Sequence, residues 1–477
     1  MATLTTPIDP LLVKQITSGK DKVELSRVDY EPGSLIHKRA RALYKLGSGG
    51  RAHQYAALWS PHDDVSGLDK GWELAAPYAT RHHLINLLLK EQTRAHHDLN
   101  NYQELYDRIG NFLTTIRGEI KKTQPFHDNE ETRRLTGIPH LRKLAFKFLP
   151  KDRIAGEPES EAEFVKEYSI LQNLRHQNIP GFVEAVRSPT GIGYFADLVD
   201  GRTIEEIIDE SEDWWRKPAN GPARTHLPPE VVLAITTQFY DTLAYLHKRK
   251  IYYPDIQQGN IMLGFDGLVN LIDFGFADEI TPGKTTLESG GANEDFMPRE
   301  IIMHLQEKGG NSKKYGHEIL PGHDIPLHTG SNIGSTATLT YLLMCNAYPF
   351  TGDTFPRLRD AIMNKTPTDP RQLNSDYSKD EVEEIYTKPA RKEVEKRPTA
   401  PEMAYVSRSL LEKRLAKKGM QKKSPEQVLQ EFMLPPFEQR ALTYASPELN
   451  IPPRPIQTAS RKKSTPFRKT QAPTLTS

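Results

Sequence analysis

Apolar positions recur along this chain with two different periods, and the switches between them divide it into parts. Leu43-Tyr44-Lys45-Leu46 leads into a glycine cluster, Gly47-Ser48-Gly49-Gly50-Arg51-Ala52, and a second strand-like run follows from His53 to Ala56. Between Leu88 and Ile120 the spacing becomes helical: Ala95, Leu99, Tyr102, Tyr106, Ile109, Leu113, Ile116 and Ile120 alternate by four and three, the seam of an amphipathic helix. Residues 141–149 alternate as a strand does, and 161–175 return to helical spacing. Val231 to His247 places Ile235, Phe239, Leu243 and Leu246 on one helical face. Short strands are predicted near 261–263 and 269–272, a further apolar helix from Ser335 to Met344, and helices with polar loops to about Leu411. A strand-rich part followed by a helix-rich part predicts an α+β fold of two unlike lobes, with a helical insertion in the smaller one.

Composition changes this picture little. Hydrophobic residues at 37% and charged residues at 26% describe an ordinary globular chain, with no apolar run long enough to span a bilayer. The first residues lack the basic, then apolar, pattern of a secretory signal, so the expected compartment is the cytoplasm. The single cysteine, Cys345, rules out an internal disulfide framework and a cysteine-based zinc site, and its apolar neighbours predict a buried thiol. A net charge of +1 gives no general attraction to nucleic acid or membrane. Only residues 451–477 are polarised, with Arg454, Arg461, Lys462, Lys463, Arg468 and Lys469 in a Pro/Ser/Thr-rich stretch that reads as a solvated tail.

The densest chemistry lies in Ile251-Tyr-Tyr-Pro-Asp255-Ile-Gln-Gln-Gly-Asn260-Ile-Met-Leu263, followed by Leu271-Ile-Asp273-Phe274-Gly275. Asp255 stands five residues before Asn260 and eighteen before Asp273. This coupled spacing, behind a helix ending in Leu246-His247, resembles the catalytic loop and metal-binding segment of eukaryotic-type protein kinases. Phosphoryl transfer needs phosphates and metal held in place and one base near the incoming hydroxyl. The resemblance implies that Asp255 is that base and that Asn260 and Asp273 hold Mg2+.

Other parts of the resemblance can be read onto matching positions. Leu144-Ala145-Phe146-Lys147 looks like the strand whose lysine holds the α and β phosphates of ATP, with Glu167 in Phe164-Val-Lys-Glu167-Tyr-Ser-Ile-Leu171 as its helix partner. Leu174-Arg-His-Gln-Asn-Ile179 is similar to the family's exit from that helix, and Leu171 would pack on Phe274. Gly47, Ser48, Gly49 and Gly50 resemble the glycine-rich loop, where a missing Cβ lets backbone N–H groups approach phosphate. Gly110 lies inside the helical seam, which argues against Ile109-Gly110 as that loop. Asp197 and Val199, in Phe195-Ala196-Asp197-Leu198-Val199, resemble the backbone hinge for adenine, with Ala196 as gatekeeper. Ala145 and Met262 are implied as further nucleotide contacts. Phe296-Met-Pro-Arg-Glu300 reads as the element closing the activation segment, its Glu300 paired with Arg397, and Ser331 to Ala337 matches the long buried helix.

Four positions depart from the family. Pro254 stands where an arginine would bind an activation-loop phosphate, so phosphate on Thr285, Thr286 or Ser289 has no reader there. Gln257 replaces the lysine beside the transferred phosphate, and an uncharged amide stabilises that transition state less. Asn293 replaces the threonine that orients the base, and Asn332 the aspartate that braces the loop; both read as lost supports. The retained residues favour a slow protein kinase, serine/threonine-directed because the tyrosine-specific loop is absent. A pseudokinase scaffold is the main alternative, and a small-molecule phosphotransferase ranks third.

The expected organisation is a leader over 1–36, a kinase-like domain over 37–412 with an insertion over 64–138, a helical extension over 413–450 and the basic tail. The seam over 88–120 either packs on its own domain or pairs two copies of the chain. His82-His83 and His96-His97 lie too far apart along one helix to converge on a metal.

Overall fold

In this computed structural model the described residues are 34–48, 52–62, 142–157, 159–208, 225–280, 286–287, 293–307, 325–326 and 329–433, with Tyr30 and Leu68 as isolated positions. The seam over 88–120, the insertion over 64–138 apart from Leu68, the histidine pairs, Gly49 and Gly50, Thr285 and Ser289, and the basic tail lie outside them, as does the leader apart from Tyr30 and 34–36. The described chain forms two compact units: one takes residues up to Tyr168 and Phe182–Leu198, the other Ser169–Gly181 and residues from Val199 to 433.

The first unit is an antiparallel sheet of β1 (Leu35–His37), β2 (Ala40–Ser48), β3 (His53–Trp59), β4 (Arg142–Pro150), β5 (Phe182–Ser188) and β6 (Gly191–Asp197), in the order β1-β2-β3-β4-β6-β5. The expected alternation in β4 is real: Leu144, Phe146 and Phe148 are buried, while Lys143, Ala145 and Lys147 on the opposite face are half-buried. The buried face joins Tyr55, Trp59 and Phe195 in one core, with the Phe146 and Phe195 rings stacked 4.6 Å apart. Helix α1 (Glu159–Gln172) covers the predicted helical stretch and ends three residues earlier than its spacing suggested, at the Leu174-Arg-His-Gln turn.

The second unit is mainly helical. Helix α2 (Pro229–Lys248) begins at a proline, which suits a position whose N–H would have no partner. Its apolar stripe is buried as expected, but so is the other side, where Thr236, Thr237, Gln238 and Thr242 are enclosed. The threonine hydroxyls close onto carbonyls a turn earlier, and Gln238 becomes a polar hub. Its amide oxygen accepts from Asn178 Nδ2 (2.7 Å) and the Val269 N–H (3.0 Å), and its nitrogen donates to the Gly267 carbonyl (2.8 Å). This hub fixes the hairpin of β9 (Ile261–Gly264) and β10 (Val269–Leu271), which β7 (Gly201–Thr203) extends.

Around it stand β8 (Ile251–Tyr252) paired with β11 (Asp278–Glu279), and β12 (Thr286–Leu287) paired with β13 (Ile325–Pro326). Helices α3 (Arg299–Glu307), α4 (Thr329–Cys345) and α5 (Ala400–Lys417) complete the main frame. Residues 425–433 are helical and bury Val428, Leu429 and Met433. They press on the β9–β10 turn at Gly267, whose φ of 83° and lack of room for a Cβ, 2.1 Å from the Glu426 carbonyl oxygen, both require glycine. The first part of the expected extension is therefore packed structure of this unit.

Candidate active site

In the first unit, β4 presents Lys147 towards α1. Its Nζ donates to Glu167 Oε1 at 2.6 Å, with the two side chains only 13% and 3% exposed. The Tyr194 hydroxyl donates to the same oxygen at 2.7 Å, a contact that strand alternation gave no means of predicting. Ala145 and Ala196 face each other across β4 and β6, and Ala196 is buried. Asp197 ends β6 and bonds Arg142 through its side chain, and Val199 follows in the second unit. Gly47 and Ser48 close β2 opposite Gln54 and His53.

In the second unit, the Asp255 carboxylate is 8% exposed and surrounded by donors. Gln257 Nε2 reaches both of its oxygens (3.1 and 3.0 Å), and Asn260 Nδ2 reaches Oδ2 at 2.6 Å and the Asp255 carbonyl at 3.1 Å. Burial pushes the Asp255 carboxyl up to about 6 and the Asp273 charge adds to it, while bonds from Asn260, Gln257 and the Asn293 backbone oppose the rise. The resolved balance favours the neutral form more than in an exposed aspartate. Asp273 Oδ1 accepts from the Gly275 N–H at 2.9 Å, and Phe274 is buried with its ring edge-on to Tyr253 at 5.2 Å. Leu171 is buried too. Met262 lies on β9, paired with Asn270 and Thr203.

The two asparagines read as lost supports still make bracing contacts. Asn293 Nδ2 donates to Gln257 Oε1 at 2.8 Å, which fixes which end of the Gln257 amide faces Asp255. Asn332 Nδ2 donates to the Tyr253 carbonyl at 2.5 Å, and its Oδ1 lies 3.0 Å from His247 Nε2. An amide carries both a donor and an acceptor, so it can replace a hydroxyl or a carboxylate in such positions. Glu300 and Arg397 form the expected pair through two bonds of 2.7 and 2.9 Å. Gly334 makes room for that guanidinium, since a Cβ there would lie 2.6 Å from Arg397 Nη1. Cys345 is buried, and burial pushes its thiol up to about 12, which leaves it unreactive.

Among the described residues no three His, Cys, Asp or Glu side chains cluster as metal ligands, and no helix is long and apolar enough to cross a membrane. The donors that fit a metal are instead one amide and one carboxylate oxygen, from Asn260 and Asp273. Because Asn260 commits its nitrogen to Asp255, its oxygen is the end left to face a cation. Mg2+ is commonly held by one or two such protein oxygens, with phosphates and water completing the shell.

Comparison with known proteins agrees with this arrangement. The chain is 31% identical over 163 residues to the probable serine/threonine-protein kinase YbdM of Bacillus subtilis, covering 33% of this chain and 59% of that one. It is 27% identical over 228 residues to serine/threonine-protein kinase stk11 of Xenopus laevis (46% and 45% covered). It is also 27% identical over 218 residues to human death-associated protein kinase 2 (44% and 50%). The matches span 59% or less of the length of these relatives. A family model described as the protein kinase domain matches residues 134–430, which holds Lys147, Glu167, Asp255, Asn260 and Asp273 and begins after the glycine cluster. With that match over more than half its length, the chain belongs to the protein kinase domain family.

Proposed function

We propose that this chain is an ATP-dependent protein kinase that moves the γ-phosphoryl group of Mg-ATP to a serine or threonine hydroxyl of a protein. The observation that carries this reading is the Asp255 carboxylate, buried, held by Asn260 and Gln257, and facing the charge of Asp273. Asp255 Oδ1 receives the Gln257 bond at 3.1 Å, while Oδ2 takes the shorter Asn260 bond at 2.6 Å; Oδ1 is the atom we assign to accept the substrate proton. A carboxyl raised to about 6 is a better base than an exposed aspartate and still ionised at neutral pH. Lys147, oriented by Glu167, is assigned to the α and β phosphates. Gly47 to Gly50 are assigned to the phosphates, and Ala145, Asp197, Val199 and Met262 to adenine. Mg2+, when bound to Asn260 and Asp273, neutralises charge on the phosphate oxygens.

A second reading rests on Gln257, whose amide spans both oxygens of the base where a cation would favour transfer: a pseudokinase that binds nucleotide or partners without turnover. We further propose a cytoplasmic protein with protein substrates and no specific nucleic-acid partner. Incubation with labelled ATP, Mg2+ and generic protein substrates, beside Asp273→Asn, separates the two readings. A kinase labels substrate and the variant does not; equal labelling by both refutes the enzyme.

A further inference from the structure

Lys147 and Tyr194 are directly opposed across β4 and β6, so their side chains leave the sheet on the same face. Both reach Glu167 Oε1, the lysine at 2.6 Å and the tyrosine hydroxyl at 2.7 Å. Tyr194 is 4% exposed and Glu167 3%, so neither bond competes with bulk water. Aromatic rings flank the acceptor. Phe164 and Tyr168, on α1 either side of Glu167, lie 5.4 and 6.1 Å from the Tyr194 ring, and Tyr168 stacks on Phe182 at 6.1 Å. Helix α1 is therefore tied to the sheet by apolar ring contacts and by a hydroxyl aimed at its one buried carboxylate.

Nothing in the kinase reading uses Tyr194. A lysine ammonium has three N–H donors and would have to share them with phosphates, which weakens its hold on Glu167 when nucleotide is present. The Tyr194 hydroxyl adds a second donor to the same Glu167 oxygen. At the same time Pro254 denies the activation segment the arginine through which a phosphate would order the site. Within that segment Thr286 and Leu287 pair with Pro326 and Ile325.

We propose that Tyr194 is a positioning residue that keeps Glu167 on Lys147, so that the pair stays assembled without a phosphorylated activation segment or an activating partner. Its catalytic consequence rests on the kinase reading; its effect on α1 does not. Tyr194→Phe is the variant of choice because it keeps the ring and deletes only the hydroxyl.

The first measurement is amide hydrogen exchange of residues 159–172 in nucleotide-free full chain, with α2 as internal control. A hydrogen bond to a charged acceptor predicts about tenfold faster exchange in α1 of Tyr194→Phe and no change in α2. Exchange at the natural rate overturns the proposal. The second compares Tyr194→Phe, Glu167→Gln and the double variant in phosphate transfer. If the hydroxyl acts through Glu167, kcat falls about tenfold in Tyr194→Phe with the protein-substrate KM unchanged, and the double variant is no slower than Glu167→Gln. Losses that multiply refute the route through Glu167. Absence of transfer by the natural chain sinks the kinase reading alone, and the exchange result then decides the role of Tyr194.

Discussion

Replacing Arg397 by leucine tests the frame of the second unit. The guanidinium is 2% exposed and makes four bonds: two to Glu300, one to the Gly330 carbonyl (2.9 Å) and one to the Arg391 carbonyl (2.7 Å). Leucine fills part of the volume but strands a carboxylate and two carbonyls. Breaking a buried ion pair from one side costs about 3–5 kcal/mol. Glu300 retains 19% exposure, so water recovers part of its solvation and the lower end applies. At roughly 2–4 °C per kcal/mol for a unit of this size, Tm should drop by about 10 °C. Arg397→Leu combined with Glu300→Leu removes the stranded charge and should recover at least about 1 kcal/mol of that loss. Thermal unfolding followed by circular dichroism at neutral pH reads all three proteins. A Tm within about 2 °C of natural for the single variant, or a double variant as unstable as the single, would show that the pair is not what holds α3 to the rest.

Mg-ATP at about a hundred times its Kd should stabilise the natural chain by about 2.7 kcal/mol, and Lys147→Met should abolish that rise in a melting assay. Asp255→Asn should cut turnover by about 100-fold or more with ATP affinity retained. Because the folded Asp255 carboxyl sits near 6, above its ordinary value of 3.8, the natural rate should fall as pH drops through about 6. The same shift means the native state binds this proton more tightly than the unfolded chain. Its contribution to stability is thus fully present below about 3.8 and lost as pH rises through about 6, a slope that Asp255→Asn removes. Alanine at Thr285, Thr286 and Ser289 together should leave the single-turnover rate within about twofold, since Pro254 cannot read a phosphate there; a larger loss would contradict that.

What the sequence could disclose was whatever a period or a spacing encodes. Alternation in 141–149 identified β4 and the buried rank of Leu144, Phe146 and Phe148, and the spacing from Asp255 to Asp273 pointed to the loop in which Asp255, Gln257 and Asn260 come together. Periodicity records which side a residue faces, and it is silent on what that side meets. The spacing of α2 named only its apolar face and said nothing of Thr236 and Gln238, which are enclosed, nor did any pattern single out Tyr194 as a partner of Glu167. Asn293 and Asn332 looked like deficits because residue type was compared without the geometry that lets an amide serve. The helical extension expected over 413–450 is present over 425–433, but nothing in its spacing told that it would press on the turn at Gly267.

The connection between β3 and β4 has a cost that the sheet itself does not need. Trp59 and Arg142 are opposed in the ladder, and the Arg142 guanidinium lies 5.9 Å over the Trp59 ring, so the chain leaves the sheet and returns to it at one spot. Residues 60–141, about 80 of them, span a gap that a turn of about four could close. For flexible chains of these two lengths, closing the longer one costs about 2.7 kcal/mol more in entropy, by the logarithmic dependence on length. The two ends therefore form a socket: exchange of the segment between them for a short turn, or for a folded domain, should leave the register of the strands on either side unchanged.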